Sequence, residues 1–377
     1  MKKILVNAYL NSNLGDDLFL EELFSRYPYT QFYLRSNRVY EKKFKKHKNV
    51  YILKNKVGNK IYNTFLKLSK KILKSNEKVK MKDIKINYGN YDGYINIGGS
   101  IFIDKDGEHF KRNTSIYNEF LKRSKPVFIL SCNFETNFKK ELYDSYKNYF
   151  NQIKDKTKFD ICFRDSYSYN LFKECQVVRM APDIIFGFKK FDTSKKKKLG
   201  ISPIDLTNRN LFEDTKEEYY KKIAFEANSF LNENINNEVV FFSFCKKEGD
   251  LKAIKNIQSR LENQNRTKVL NYKNNINKFI NEFSECEKII ATRFHAMILS
   301  LIMDKKTYPF IYSEKMKNVI KDIKFGDEFY DIVSKNDNYI DGIDNDIHNL
   351  ILKQTKNNSE LQFLKLDKYL INEDQNE

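Results

Sequence analysis

The chain has 377 residues, long enough for two ordinary domains and too long for one comfortable core. With 41% hydrophobic and 15% aromatic residues, a disordered chain is excluded as the default reading. Lys+Arg of 68 against Asp+Glu of 50 gives a net charge of +18, which favours an anionic partner: nucleic acid, a phosphorylated small molecule or an anionic membrane face. The abundance of Lys, Asn, Ile and Tyr also fits an AT-rich coding sequence, which raises lysine without selection for binding.

Lys3 to Tyr9 (KILVNAY) predicts a buried strand, followed by the polar turn NSNLGDD. From Leu18 the spacing becomes helical, with Leu20, Leu23, Phe24 and Tyr27 on one face. Strand, loop and helix in that order form the unit of parallel α/β sheets. The alternation recurs: a strand over 91–97 ending in Gly98-Gly99, a helix over 116–123, a strand over 126–131, a helix over 139–148, a strand over 159–164 and a helix over 165–175. The polar stretch 191–198 then separates two patterned regions. A second series follows, with a strand from Leu199, a helix over 216–234, a strand over 238–244, a helix over 250–261 and a short strand near Val269. It closes with an apolar segment over 278–283, a strand over 288–291, a helix opening after it and a strand over 307–311. Two doubly wound α/β domains facing across a cleft are expected, over 1–192 and 199–337. A helical tail spans 338–377, and ligands belong at the carboxyl ends of the strands.

Five scattered cysteines without a C-x-x-C pair suit a reducing compartment and argue against a zinc site. No secretory leader and no membrane-spanning stretch is read, so the expectation is a cytoplasmic protein. Lys67 to Lys85 is lysine-dense with interspersed apolar residues. The plainer reading is a solvated surface, and the alternative is peripheral contact with anionic lipid at the inner membrane face. No nucleic-acid motif is present, so the net charge alone does not assign a nucleic-acid partner.

The stretch ATRFHAMILSL (291–301) carries the strongest chemical signal. If Ala291 ends a strand and Thr292 caps the next helix, Arg293 and His295 fall in the helix's first turn. There, free amides and the dipole favour phosphate or carboxylate, and a guanidinium adds a bidentate grip. A histidine at that point is placed to trade a proton with a phosphorylated ligand. The plainer alternative is a capping histidine and an arginine paired with an acid such as Glu287.

Asn13-x-Gly15-Asp16-Asp17 sits between the first strand and helix. Capping explains Asp17 and competes with a catalytic carboxylate for Asp16. Gly98-Gly99-Ser100 suits either a ligand against backbone amides or a tight turn. Arg164 brings a second guanidinium to the cleft, unless Asp165 neutralises it. Lys315 follows the last strand of the second series. No ligand spacing suggests a metal.

These pieces in this order resemble the polysaccharide pyruvyl transferase family over roughly residues 1–325. The matching residues are Asn13, Gly15 and Asp16, then Gly98-Gly99, Arg164-Asp165-x-x-Ser168, Asp183 in APDIIF, Gly200-Ile201-Ser202, Thr292-Arg293-Phe294-His295-Ala296, and Lys315 downstream. Ser100 stands where a third glycine is usual, Thr292 where serine or glycine is common, and Ile184 where proline normally follows the aspartate. The resemblance implies a GT-B-like pair of Rossmann-like domains, with the acceptor on the first side and the donor on the second. It also implies transfer of pyruvate from phosphoenolpyruvate to two hydroxyls of a cell-wall or capsular glycan sugar, free or lipid-linked. The product is a cyclic ketal, phosphate is released, and no cofactor is used. Arg293, Arg164 and Lys315 are then expected to hold the donor, charged His295 to act as acid and Asp16 as base. The rival readings are a GT-B glycosyltransferase using a nucleotide sugar, and a non-catalytic glycan-binding or scaffold protein. Acceptor sugar, ketal stereochemistry and oligomeric state are not encoded in any motif.

Overall fold

The computed structural model describes residues 1–36, 38–54, 86–104, 106–189, 191, 196–207, 212–340 and 345–371. The lysine-dense stretch 67–85 lies outside them. Two seven-stranded sheets organise the chain. The first runs β3-β2-β1-β4-β5-β6-β7, all parallel. Its strands are β1 Lys3–Ala8, β2 Gln31–Ser36, β3 Val50–Lys54, β4 Gly93–Ile97, β5 Val127–Cys132, β6 Phe159–Phe163 and β7 Val178–Met180. The second runs β10-β9-β8-β11-β12-β13-β14 and is parallel except for its last pair. Its strands are β8 Lys196–Ser202, β9 Glu238–Ser243, β10 Thr267–Asn271, β11 Cys286–Ala291, β12 Lys306–Ile311, β13 Phe329–Asp331 and β14 Asn336–Asn338.

The two sheets have the same strand order, with the direction of winding reversing between β1 and β4 and between β8 and β11. Those are the switch points where a crevice opens beyond the strand ends. Every residue of β4, β5 and β6 is buried, because helices cover both faces and the strands read as continuous apolar runs. The helices are α1 Leu14–Arg26, α2 Arg38–Lys43, α3 Glu108–Leu121, α4 Lys140–Asn151 and α5 Ser166–Phe172 on the first side. On the second are α6 Lys216–Glu233, α7 Asp250–Gln258, α8 Ile276–Ser284, α9 Phe294–Ile302 and α10 Glu314–Asp322.

Helix α1 starts four residues before the expected Leu18, because Asn13 Oδ1 accepts the Gly15 amide at 3.0 Å and caps it. Asp17 is therefore not explained by capping. It is fully buried in an ion pair with Lys43 and accepts the Tyr272 hydroxyl at 2.7 Å from the other domain.

The tail is α11 Asn345–Asn358, a 3₁₀ segment Ser359–Phe363 and α12 Leu364–Leu370. It returns to the first sheet. Asp367 takes Arg26 at 2.9 and 2.8 Å and the Tyr27 hydroxyl at 2.7 Å. Gln362, fully buried, bonds the Ser131 amide at 2.9 Å and the Ala181 carbonyl at 2.6 Å.

Among the described residues, no helix is long and apolar enough to cross a membrane.

Candidate active site

A cleft of about 1180 Å³ opens between the sheets, at the carboxyl ends of their strands. Asn13 and Asp16 line it from the end of β1, Gly99 and Ser100 from β4, Asn133 from β5 and Arg164 from β6. The second domain contributes Arg293 and His295 after β11, and Tyr312, Ser313 and Lys315 after β12.

Arg293, rather than Thr292, is the cap residue of α9, and its side chain does not cap the helix. The Thr292 hydroxyl instead meets the Tyr219 hydroxyl at 3.0 Å. Helix α10 likewise begins without a side-chain cap, and the Ser313 hydroxyl is buried without a hydrogen-bond partner. Two uncapped helix starts thus face the cleft, each with first-turn amides free of a side-chain cap.

His295 reaches across to the first domain. Its ring lies so close to Gly15 that a Cβ there would sit 1.7 Å from Nδ1. Phe19 and Phe294 meet the ring edge-on, each with centroids 5.1 Å away. Nε2 is buried without a hydrogen-bond partner, 3.9 Å from Asp183 Oδ2. Burial, then Arg164, Lys315 and Arg293, hold its imidazolium well below the ordinary histidine range.

All three cations expected to hold the donor line the cleft, and two of them already have carboxylate partners. Arg293 is paired with Glu248 and Asp250, and not with Glu287. Arg164 is not neutralised by Asp165, which caps α5 through the Ser168 amide at 2.8 Å. Arg164 instead donates to Asp183 at 2.8 Å and to Asn133 at 2.6 Å, and lies 4.1 Å over the Phe294 ring. Its guanidinium rests on Gly99, where a Cβ would come within 2.3 Å. Gly98 has φ +135°, a conformation that glycine supplies. Lys315 is the open cation: among the described residues it has no ion pair, and it stands 5.8 Å from the Phe294 ring.

Asp16 is half-buried on the cleft wall. Burial, with Asp17 and Glu248 adding, pushes its carboxyl up to about 8 against the pull of Lys315 and Arg164. The cleft thus biases Asp16 towards its protonated form and His295 towards its neutral form.

The sequence pattern of the polysaccharide pyruvyl transferase family matches residues 13–314. The chain belongs to that family. No curated protein matches the sequence itself. In fold, this pyruvyl transferase family member is similar to Anabaena Alr3699/HepE in complex with UDP-glucose, at a TM-score of 0.51 and 8% identity, with 100% of both chains covered. A UDP-N-acetylglucosamine 2-epimerase gives a TM-score of 0.55 at 10% identity, covering 100% of this chain and 96% of that one. S. aureus MnaA in its UDP co-structure gives 0.50 at 10% identity, covering 98% and 97%. These likenesses establish a GT-B-like, two-domain α/β architecture.

Among the residues that sequence reasoning missed in this pyruvyl transferase family member are Glu248 and Asn133, which line the cleft, and Asp250, buried behind Arg293. Glu248 and Asp250 lie in the turn Lys246–Glu248 and the start of α7, where a K-K-E-G-D run looks like ordinary surface. Their positions after β9, a strand-to-helix junction like that of Arg293, are the signal that could have found them. Among the described residues, no cluster of three or more His, Cys, Asp or Glu side chains could hold a metal ion.

Proposed function

We propose that the protein transfers pyruvate from phosphoenolpyruvate to two hydroxyls of a glycan sugar, forming a cyclic ketal and releasing phosphate. The observation that carries this reading is the meeting, in one cleft, of Asp16 from the first domain and His295 from the second, beside Lys315 and two uncapped helix starts. Ketal formation from an enol phosphate needs a proton delivered to carbon, a proton removed from a hydroxyl, and a held anion. Each requirement has a residue.

In the reaction so written, Lys315, Arg293 and the free amides of α9 and α10 receive the donor's phosphate and carboxylate. Asp16 gives its proton to the methylene carbon as the first sugar hydroxyl bonds to the central carbon. His295 takes the proton of that hydroxyl. The central carbon is then tetrahedral and still bears phosphate. The carbon–phosphate oxygen bond breaks, and His295 returns its proton to the departing phosphate. The second hydroxyl closes the ring and its proton restores Asp16. This division of labour reverses the one expected from sequence, where charged His295 was the acid and Asp16 the base. The electrostatics of the cleft favour the reversal.

The reaction uses no cofactor beyond the donor, and neither metal nor nucleic acid takes part. A lipid-linked glycan at an anionic membrane is an acceptor that the net charge of +18 suits. The test is phosphate release from phosphoenolpyruvate with a panel of galactosides and N-acetylhexosamines, free and lipid-linked, with the product mass checked for a carboxyethylidene adduct. Parallel incubations with UDP-sugars address the glycosyltransferase alternative. Consumption of a nucleotide sugar, with phosphoenolpyruvate untouched, would replace this reading.

A further inference from the structure

The two carboxylates on Arg293 are held in different ways. Asp250 is fully buried, and its second oxygen accepts the Cys245 amide at 2.8 Å. It is fixed to the backbone of its own domain. Glu248 lies on the cleft wall with its side chain 26% exposed, in a short turn followed by Gly249 at φ +90°. Its side chain also accepts a hydrogen bond at 3.3 Å from Asn13 Nδ2, across the seam between the domains, and one from the Cys245 side chain. One partner is anchored, and the other is presented to the cleft from a turn that ends in a glycine conformation.

Charge points the same way. Arg293 with both carboxylates forms a cluster of net −1, which repels an incoming phosphate or carboxylate. Arg293 with Asp250 alone is neutral, and one edge of its guanidinium is then open. A carboxylate and a phosphate oxygen engage that edge through the same geometry. The Glu248 carboxylate therefore stands where an anionic ligand would stand.

We propose that Glu248 is an exchangeable counter-ion, which keeps on Arg293 the place of the donor's anionic group and is displaced when the donor binds. The proposal rests on the phosphorylated-donor reading above and adds Glu248 as a residue that sets donor affinity. Displacement also releases Asn13, so donor binding and the domain seam are linked.

The experiment is calorimetric titration of inorganic phosphate, phosphoenolpyruvate and UDP into the full chain and its variants. In Glu248→Gln the competing charge is gone, and phosphate binding tightens several-fold to about tenfold. Glu248→Asp keeps the charge but shortens its reach to Arg293, and it too tightens binding. A mere through-space effect of charge would leave that variant unchanged. Glu314→Gln is the control, since Glu314 lines the same cleft but pairs with Lys317 at 3.4 Å, and it shifts affinity by less than about twofold. Unchanged or weaker phosphate binding in either Glu248 variant, or a gain no larger than in Glu314→Gln, overturns the exchange. A gain seen for phosphate and UDP but not for phosphoenolpyruvate leaves the exchange standing and removes the pyruvyl donor.

Discussion

Replacing Gly15 with alanine sets a methyl group against the imidazole of His295. Gly15 has no positive φ, unlike Gly98, Gly107 and Gly249, so it is not retained for backbone freedom. It is retained for space. The added Cβ would lie 1.7 Å from Nδ1, 2.4 Å from Cγ and 2.6 Å from Cε1, whereas ordinary contact begins near 3.4 Å. The ring must therefore retreat by about 1.7 Å, and Phe19 and Phe294 hem it in. Overpacking of this kind costs about 1–3 kcal/mol, and a misplacement of about 1 Å can lower a rate roughly 100-fold.

Helix propensity acts the other way, since alanine is favoured over glycine within a helix by up to about 1 kcal/mol. The sign of the effect is therefore diagnostic. Gly15→Ala is expected to destabilise the wild-type chain in denaturant and to lower phosphate release about 100-fold. In a His295→Ala background the same change is expected to be neutral or stabilising, with an interaction of about 0.5–3 kcal/mol between the sites and no return of activity. An equal cost in both backgrounds, or a fully active Gly15→Ala, would show that the imidazole does not rest on Gly15 in solution.

Asp16, pushed up to about 8, is expected to give an alkaline limit: activity falls as pH rises through about 8, because the ionised carboxylate has no proton to give, and Asp16→Asn is inactive at every pH. Its folded pKa exceeds the ordinary 3.8, so the folded chain binds the extra proton between those values and loses stability as pH climbs from about 4 to about 8. Asp16→Asn removes that slope, and chemical denaturation at pH 4 and pH 8 measures it. Lys315→Ala is expected to raise the KM for phosphoenolpyruvate about tenfold or more, as for loss of a charge-assisted bond of about 1.5–3 kcal/mol, with kcat less affected. Gln362→Leu leaves the Ser131 amide and the Ala181 carbonyl unpaired in a buried site, and is expected to cost about 3 kcal/mol in urea denaturation.

The two-sheet architecture was legible because strands buried on both faces are spelled as apolar runs, as in GYINI and VFILSC. Strands β2 and β14 were not, although the edge strand β10 was read near Val269. In β2 every second residue is only partly buried, and β14 is the polar triplet Asn-Asp-Asn, so neither carries that signal. At the site, the arginine and histidine were found because a strand-to-helix junction is a local feature. Their partners are not local. Arg293 pairs with residues 45 and 43 positions earlier, and Arg164 with one 19 positions later. Spacing along the chain cannot choose among such acids, which is why Glu287 and Asp165 were nominated instead. Gly15 was noted as part of the turn between the first strand and helix, and the group packed against it comes from the other domain.

The acid and the base of the proposed reaction come from different domains, so their alignment depends on the seam. Four contacts meet at the start of α1. The Leu14 amide donates to the Phe244 carbonyl at 3.1 Å, Tyr272 to Asp17 at 2.7 Å and Asn13 to Glu248 at 3.3 Å, while His295 lies on Gly15. Parting the sheets would break the first three and lift the imidazole away together. Rearranging Glu248 alone would break one and leave the backbone bond, the buried Asp17 and the histidine in place. Admitting an anion by exchange at Arg293 therefore disturbs the catalytic pair far less than opening the cleft would. A carboxylate mounted beside Gly249, and not a second anchored aspartate, is the arrangement that allows it.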